Sequence, residues 1–374
     1  MSNSFLTLLI ILFLFVGCTT DQSSNSENNT IIENPEYGQW QGLENPPFEI
    51  KLVDTFDFQS FENLVVGNIS YLISDDQSNL YFLDQTQNKL ISIDANGELR
   101  WETGQQGRGP GDFEYPFGLV TDGEFLYVGN IMATRFDKFD MQGNFIQSYD
   151  FGPELYLGIP LGITSDGQVI IRTRLDGKLG STINLVKITP DSLSILAVQE
   201  HDQTNGLELF ERANEGANIT VHEDRIIEGN LFEYGITYYD LNQDTIKNVT
   251  RNFQNIVRPG TASLNDRQQV SAFSLVDPPL FLNDGYYLAR AEWPTNVEDP
   301  DQVVENELRG NEKEITYRNS LDLFNSDDEL LYSFESDGKR PEFGKLLHTD
   351  SNGYAYFLKN DPAPSIHKYQ LNLD

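Results

Sequence analysis

The feature that most constrains the fold is a repeat that runs along most of the 374-residue chain. Residues 76–97 and 122–143 align without gaps. Each reads as a turn, an apolar strand, a polar corner, an alternating strand and a glycine turn. This order is typical of a meander of antiparallel strands. Weaker copies follow, so that the six units begin at residues 76, 122, 166, 222, 284 and 352.

Six units of this kind predict an all-β fold, a six-bladed β-propeller, because one four-stranded blade takes about 40–50 residues and radial stacking protects the strand edges. The 17 Tyr and 24 Phe favour strands, and the 29 Gly suit a chain with many turns. The last unit reaches its third strand at Tyr369 and leaves no room for a fourth, whereas Phe48–Phe56 alternates in polarity. We therefore expect an N-terminal strand to close the last blade.

The first eighteen residues have the features of an export signal. The apolar run Leu6–Val16 is shorter than the roughly twenty residues that span a bilayer, and it has the length of a signal-peptide core. Gly17 and Cys18 follow in an order that resembles a lipobox, and Thr19–Asn29 is polar. A buried N-terminal helix with an incidental cysteine is the alternative interpretation.

This order predicts three regions. We expect a lipoprotein signal peptide at residues 1–17, the lipidated Cys18 with a disordered tether over residues 18–45, and the propeller over residues 46–374. Because Cys18 is the only cysteine, no disulfide can form within the chain.

One loop motif connects the chain to a known family. Gly107–Phe113 reads Gly-Arg-Gly-Pro-Gly-Asp-Phe, and Pro116 and a strand up to Asn130 follow it. This stretch resembles the six-bladed β-propeller lipoproteins of bacteria, which are related in pattern to NHL-repeat propellers and carry Glu where this chain has Asp112. A degraded copy of the loop lies at residues 338–343. The resemblance covers about residues 48–373 and implies the fold and an envelope location rather than an activity.

A candidate site follows from the way propeller loops are arranged. The connections between the second and third strands of a blade, and those between blades, share one face. Each predicted second strand ends in a polar residue on that face: Asp84, Asn130, Arg174, Asn230, Glu292 and Asn360. Such a ring could bind a polar ligand or a cation. Alternatively, each side chain bonds the backbone of its own loop, as in Asx turns.

Two further features point to the same face. Arg108 in the glycine-rich loop could pair with a carboxylate or phosphate. The alternative, which the need for a connector at this point favours, is a rigid blade-to-blade loop with a solvated Arg. Three insertions, Glu200–Ala217, Arg258–Pro279 and Trp293–Lys313, lie in connections that open onto this face. We expect Trp293 to contact a partner, since Trp dominates many interfaces; packing within its own loop is the alternative.

The net charge and the sequence motifs limit the classes of function that the chain can have. A net charge of −33, with no run of Lys and Arg, argues against nucleic acid as a partner. The four histidines, which have no metal-ligand spacing and belong to no recognisable catalytic motif, are His201, His222, His348 and His367.

The predicted function is therefore that of a non-enzymatic binding or scaffold protein. We expect it to be lipid-anchored in the cell envelope, at the outer membrane, with other envelope proteins or a small polar ligand as partners and no cofactor. The alternative is a cation-dependent lactonase- or lyase-like enzyme. In that case Asp84, Asn130, Asn230 and Glu292 could hold Ca²⁺ in the channel, although Arg174 in the same ring would oppose it.

Overall fold

The computed structural model describes the chain in ten ranges: residues 30–60, 65–150, 155–175, 184–189, 192–198, 219–230, 233–241, 244–265, 267–360 and 363–373. The predicted signal peptide, Cys18 and the insertion Glu200–Ala217 lie outside the described residues.

Strands make up most of the described chain. The first fourteen are β1 (Thr30–Asn34), β2 (Phe48–Asp57), β3 (Ile69–Ser74), β4 (Leu80–Asp84), β5 (Lys89–Ile93), β6 (Leu99–Thr103), β7 (Pro116–Thr121), β8 (Phe125–Asn130), β9 (Arg135–Asp140), β10 (Phe145–Asp150), β11 (Leu155–Ile163), β12 (Val169–Leu175), β13 (Asn184–Thr189) and β14 (Ser192–Val198).

The described residues of the second half of the chain continue the pattern and include an α-helix. It contains β15 (Ile219–His222), β16 (Arg225–Gly229), β17 (Gly235–Tyr239), β18 (Thr245–Arg251), β19 (Gly260–Leu264), β20 (Arg267–Ser271), β21 (Leu275–Val276), β22 (Leu280–Phe281), β23 (Tyr287–Pro294), α1 (Pro300–Leu308), β24 (Tyr317–Phe324), β25 (Leu330–Asp337), β26 (Lys345–Thr349), β27 (Tyr354–Lys359) and β28 (Ser365–Leu373).

Five sheets of four or five strands form the blades of a β-propeller. We name them blade A (β3–β6), blade B (β7–β10), blade C (β15–β18 with β1), blade D (β21–β25) and blade E (β26–β28 with β2). Six blades were predicted. Between blades B and C the described residues form two hairpins, β11–β12 and β13–β14, and no ladder of hydrogen bonds joins them into one sheet. The structure thus shows five complete blades.

The blades follow one another around a closed ring. Their inner strands are neighbours in the order β26, β3, β7, β11 and β15, and β22 lies against β26. Blades C and D, the remaining neighbours in the ring, are joined through side chains. The rings of His222 in β15 and Phe281 in β22 stack with centroids 3.9 Å apart. The inner strands therefore enclose a central axis.

The predicted closure of the last blade is confirmed. β2 pairs antiparallel with β28, from Phe48 opposite Leu373 to Asp57 opposite Ser365. The N-terminal strand is therefore the outer strand of blade E, and the two ends of the propeller are joined by a ladder of hydrogen bonds.

The apolar core lies between neighbouring blades. Phe56, Phe82 and Tyr356 belong to one buried cluster shared by blades E and A, while Leu83 and Phe139 belong to another, shared by blades A and B. Burying a side chain of this size stabilises a fold by about 1.5–3 kcal/mol. Because each cluster draws on two sheets, the stability of every blade depends on its neighbours.

A repeated hydrogen bond explains why the turn sequences recur. In three blades an Asp at the turn between the first and second strands accepts a bond of 2.8 Å from a Tyr hydroxyl: Tyr81 to Asp75, Tyr127 to Asp122 and Tyr356 to Asp350. The same carboxylates also accept backbone N–H groups of the turn. The repeat thus encodes a turn whose polar groups are satisfied within the blade.

Residues that were expected to form part of a disordered tether belong to the folded domain. β1 adds a parallel fifth strand to blade C by pairing with β18. Farther on, the amides of Gln39 and Trp40 donate to the carbonyls of Leu330 and Leu331 in blade D at 3.0 and 2.8 Å. We call residues 30–43 the N-terminal strap. The predicted boundary at residue 46 is wrong, because the strap is held largely through its backbone, which composition does not reveal.

The strap crosses a buried ion pair that joins blades C and D. Arg251 donates to Asp322 at 3.1 Å, and neither side chain is exposed. Ser333 adds a hydroxyl bond to Asp322 at 2.6 Å, and the carbonyl of Glu36 in the strap accepts from Arg251 at 2.7 Å. Removing only one partner of a buried ion pair strongly destabilises a fold, because the other charge stays buried without its partner.

Asn34 provides a test of the strap. Its side chain accepts from the amide of Leu330 at 2.7 Å and donates to the carbonyl of Asp328 at 2.9 Å, and it is buried. Asn34→Ala should lower the free energy of unfolding by about 2–4 kcal/mol, because two buried backbone groups lose their partners. Denaturant unfolding measures this. Asn311→Ala, at an exposed position, is the matched control, and an equal effect of the two substitutions would contradict the strap.

Candidate functional site

The candidate site lies on the loop face, where the inner strands begin and the second strands end. Ile69 at the start of β3 pairs with Asp84 at the end of β4, and Pro116 at the start of β7 pairs with Asn130 at the end of β8. We call the opening that the inner strands surround on this face the channel mouth.

Asp84 is buried and its carboxylate shapes the loop around it. It accepts hydrogen bonds from the backbone amides of Gly67, Asn68, Thr86 and Gln87 at 2.7–3.2 Å. The side chain is therefore a cap for two adjoining loops, as the alternative interpretation of the polar ring predicts.

Asn130 has the same role in blade B. Its side-chain oxygen accepts from the amide of Glu114 at 2.8 Å, and its nitrogen donates to the carbonyl of Asp112 and the carboxylate of Asp137 at 2.9 and 3.0 Å. Both Asp84 and Asn130 are thus directed into the protein rather than toward the channel.

The remaining predicted ring positions have surroundings that differ from one another. Glu292 pairs with Arg290 at 3.0 Å, and burial raises the pKa of its carboxyl although Arg290 opposes the shift. Asn230 bonds through its backbone to Gly235 and Val276. Asn360 is exposed. Arg174 lies in β12, and its side chain lies outside the described residues.

The glycine-rich loop is organised by a residue that sequence reasoning missed. Arg135 is buried at the start of β9 and donates to the carbonyls of Arg108, Gly109 and Asp112 at 2.8–3.0 Å. It also pairs with Asp137 at 3.0 Å. An Arg five residues beyond Asn130 of blade B is the only sequence signal, and its role depends on a tertiary contact.

Arg108 itself is a surface residue. Its side chain is 74% exposed and pairs with Glu114 at 2.7 Å. The loop therefore fits the interpretation as a rigid connector, in which the backbone of Arg108 is held and its guanidinium lies at the rim in a neutralised pair.

Trp293 is buried and is therefore not exposed to a partner. It is only 3% exposed and packs edge-to-face on Phe253, with ring centroids 4.6 Å apart. The prediction of an interface residue is wrong, because the end of β23 lies in the apolar cluster shared by blades C and D.

Two of the predicted insertions fold together on the loop face. Helix α1 lies against the β19–β20 hairpin. Arg258 holds Asp301 at the start of the helix with two bonds of 3.0 and 2.8 Å, and with the amide of Thr261 it lowers the pKa of the Asp301 carboxyl to about 2. Glu307 near the end of the helix accepts from Gln269 and Ser271 at 2.7 and 3.0 Å. The insertions thus form an ordered unit.

Three aromatic side chains meet at the channel mouth between blades A and B. The ring of Tyr115 lies nearly parallel to that of Phe117, with centroids 6.3 Å apart and 11° between the planes. Phe117 in turn meets Tyr71 edge-to-face at 5.1 Å. Burial, and secondarily the nearby Tyr115, raises the pKa of the Tyr71 hydroxyl. We call these three residues the aromatic shelf.

The strands below the shelf are distorted at equivalent places. The pairing of β3 with β4 shifts register between Ile69 and Leu72, and that of β7 with β8 shifts between Pro116 and Leu119. Tyr71 and Phe117 lie within these two irregular steps. Bulges of this kind redirect side chains and are frequent beside functional sites.

Tyr115 has an unusual backbone conformation. Its φ is +67°, in the left-handed region that bulky residues rarely adopt. It also precedes Pro116, and the residue before a proline strongly favours extended conformations. Its amide donates to the side chain of Asn88, which has a φ of +54°, at 3.2 Å. Half of the Tyr115 side chain is nevertheless exposed, so its burial does not account for the strain.

Other possible sites are less developed in the described part of the chain. No group of three or more His, Cys, Asp or Glu side chains comes together there as a metal site. A recess of about 360 Å³ lies at the outer edge of blade D, lined by Tyr37, Phe334, Pro341, Phe343 and their neighbours. None of the helices that can be described is long and apolar enough to cross a membrane.

Comparison with known proteins supports the fold. No family model matches the chain, and no curated protein matches it significantly. A crystal structure of a DUF4221-family member from Bacteroides vulgatus has 13% identity and a TM-score of 0.56, and covers 88% of this chain and 99% of its own. A Bacteroides fragilis protein predicted to be exported has 12% identity and a TM-score of 0.57, with 92% and 100% covered. These likenesses show a shared fold, which is that of an all-β propeller.

The two arginines of the glycine-rich loop region should differ sharply in their effect on stability. Arg135→Met should lower the free energy of unfolding by about 3–5 kcal/mol, because it removes the cation that pairs with the buried carboxylate of Asp137. Arg108→Met, the matched control at an exposed ion pair, should change it by less than about 0.5 kcal/mol. Denaturant unfolding of both variants measures the two free energies. Similar losses would mean that Arg135 does not organise the loop.

Proposed function

We propose that this protein is an exported, lipid-anchored binding protein that holds a small polar ligand at its channel mouth. The observation that carries the proposal is Tyr115, a half-exposed aromatic residue held at φ +67°. Backbone strain of this type costs about 1–3 kcal/mol and clusters at ligand sites and active sites. Glycine would fill the same backbone position without strain, so the presence of a tyrosine there indicates a use for its ring.

The surroundings of Tyr115 suit a binding site. The blades supply a rigid scaffold, and the glycine-rich loop that leads into Tyr115 is fixed from below by Arg135. Preorganised contacts of this kind reduce the ordering cost of binding. The ordered insertions on the same face provide additional loop surface, where recognition residues are usually found.

The number of blades enters the proposal as well. We propose that β11–β14 make up a sixth blade. This is supported by the position of β11, which is the inner strand between β7 and β15, and by the contact of β12 with β13. An experimental structure in which β12 and β13 do not pair would contradict it.

The envelope location is supported by the sequence. An apolar core too short to span a bilayer, followed by Cys18 and a polar segment, is the order that lipid anchoring requires. Labelled palmitate should enter the wild-type protein and not Cys18→Ser, because the thiol is the attachment point. Equal labelling of the two proteins would remove the anchor from the proposal.

The binding function is tested by thermal unfolding in the presence of a library of sugars, amino acids, organic acids and nucleosides. At least one compound should raise the melting temperature of the wild type and not of Tyr115→Gly. At a hundredfold excess over the dissociation constant the expected stabilisation is about 2.7 kcal/mol. In addition, Tyr115→Gly should be more stable than Tyr115→Ala by about 1 kcal/mol, the reverse of an ordinary position.

Two results would overturn the binding function. One is the absence of any compound whose effect depends on Tyr115. The other is hydrolysis of a lactone or ester, in the presence of Ca²⁺, that is abolished by a chelator and by Glu292→Gln. That result would favour the enzyme.

A further inference from the structure

We infer that the ligand of the aromatic shelf is a neutral carbohydrate. This inference rests on the proposed binding function and identifies the class of ligand that the same site would take. Three observations carry it: the flat aromatic surface, the uncharged amides around it and the neutralised ion pair at its rim.

The most exposed ring of the shelf is that of Tyr115, and its neighbour Phe117 is partly buried. Tyr115 and Phe117 are within 11° of parallel, and their centroids are 6.3 Å apart. The two rings are therefore nearly parallel, and the ring of Tyr115 is half-exposed. Tyr71 supports Phe117 from the side. The face of an aromatic ring carries partial negative charge and attracts the polarised C–H groups on the apolar face of a sugar ring.

The same geometry disfavours a cationic ligand. Recognition of a quaternary ammonium requires several aromatic faces that surround the cation. Here the faces of Tyr115 and Phe117 point in nearly the same direction, and Tyr71 presents an edge-to-face contact to Phe117 rather than a third wall.

The polar groups next to the shelf are side-chain amides. Asn88 accepts the amide of Tyr115 at 3.2 Å. Gln85 donates to the carbonyl of Pro116 at 3.2 Å and accepts from Asn68 at 3.1 Å. Each amide has two donors and an acceptor with two lone pairs, so these bonds leave further capacity. Amides match sugar hydroxyls, which both donate and accept.

The charges near the shelf and on the whole chain disfavour an acidic ligand. Arg108 is paired at 2.7 Å with Glu114, the residue that precedes Tyr115. The chain carries a net charge of −33, and a field of that sign slows and weakens the approach of anions. A neutral ligand pays no such penalty.

The test is isothermal titration calorimetry on the intact protein with defined probes. The neutral probes are cellohexaose, mannohexaose and xylohexaose, the anionic probe is a galacturonic acid hexamer, and the cationic probe is choline. At least one neutral probe should bind the wild type. Its affinity should fall about tenfold or more in Tyr115→Gly, which removes the ring, and by about twofold or less in Tyr115→Phe, which retains it.

Two matched variants complete the design. Tyr37→Gly removes another exposed tyrosine, on the strap, and should leave the affinity unchanged. Asn68→Ala removes a rim amide without touching the shelf and should weaken binding, so the inference stays testable if Tyr115→Gly unfolds. Binding that depends on Tyr115 for the anionic probe or choline alone would overturn the carbohydrate class while leaving the binding function intact. Absence of Tyr115-dependent binding with these probes and with the wider compound library would overturn both.

Discussion

Closure of the ring is the constraint on which the rest of this structure depends. A single blade has no core of its own, because its apolar side chains are buried only when sheets lie on both sides. In blades A and E this requirement is met by residues from opposite ends of the chain, since Phe56 of β2 shares a cluster with Phe82 and Tyr356. The strap extends the same principle to blades C and D, where it crosses the buried pair of Arg251 and Asp322. The stability of the propeller is therefore cooperative around the ring.

A rigid closed ring makes the loop face suitable for strained conformations. Asp84 and Asn130 are fully buried and engaged with loop backbone, and Arg135 fixes the glycine-rich loop from within. These bonds over-determine the path of the chain as it enters β7. Only a backbone held in this way can keep a tyrosine in the left-handed region directly before a proline. The polar residues thus fix the loops, and the proposed binding site would use them indirectly, through the position that they impose on Tyr115.

The sequence predicts the fold more completely than the site, for physical reasons that differ from residue to residue. Repeated turns report local hydrogen bonds, such as that of Tyr81 with Asp75, so strands and their order can be recognised from them. A polar residue at a strand end, such as Asp84, has the same sequence pattern whether it faces a ligand or caps a loop. The burial of Trp293 is decided by packing against Phe253, and the left-handed conformation of Tyr115 has no counterpart in residue type. These properties arise only when the blades meet.

The strap also sets the reach of the domain. An anchor at Cys18 followed by a free segment up to residue 45 would give 27 residues of leash, which extend to at most about 95 Å. Because the chain is already attached to blade C at Thr30, only residues 19–29 remain, and eleven residues extend to at most about 40 Å. The attachment point is moreover at the outer edge of one blade. If the proposed anchor at Cys18 is present, the attachment of the strap to blade C would therefore keep the propeller within about 40 Å of the bilayer surface.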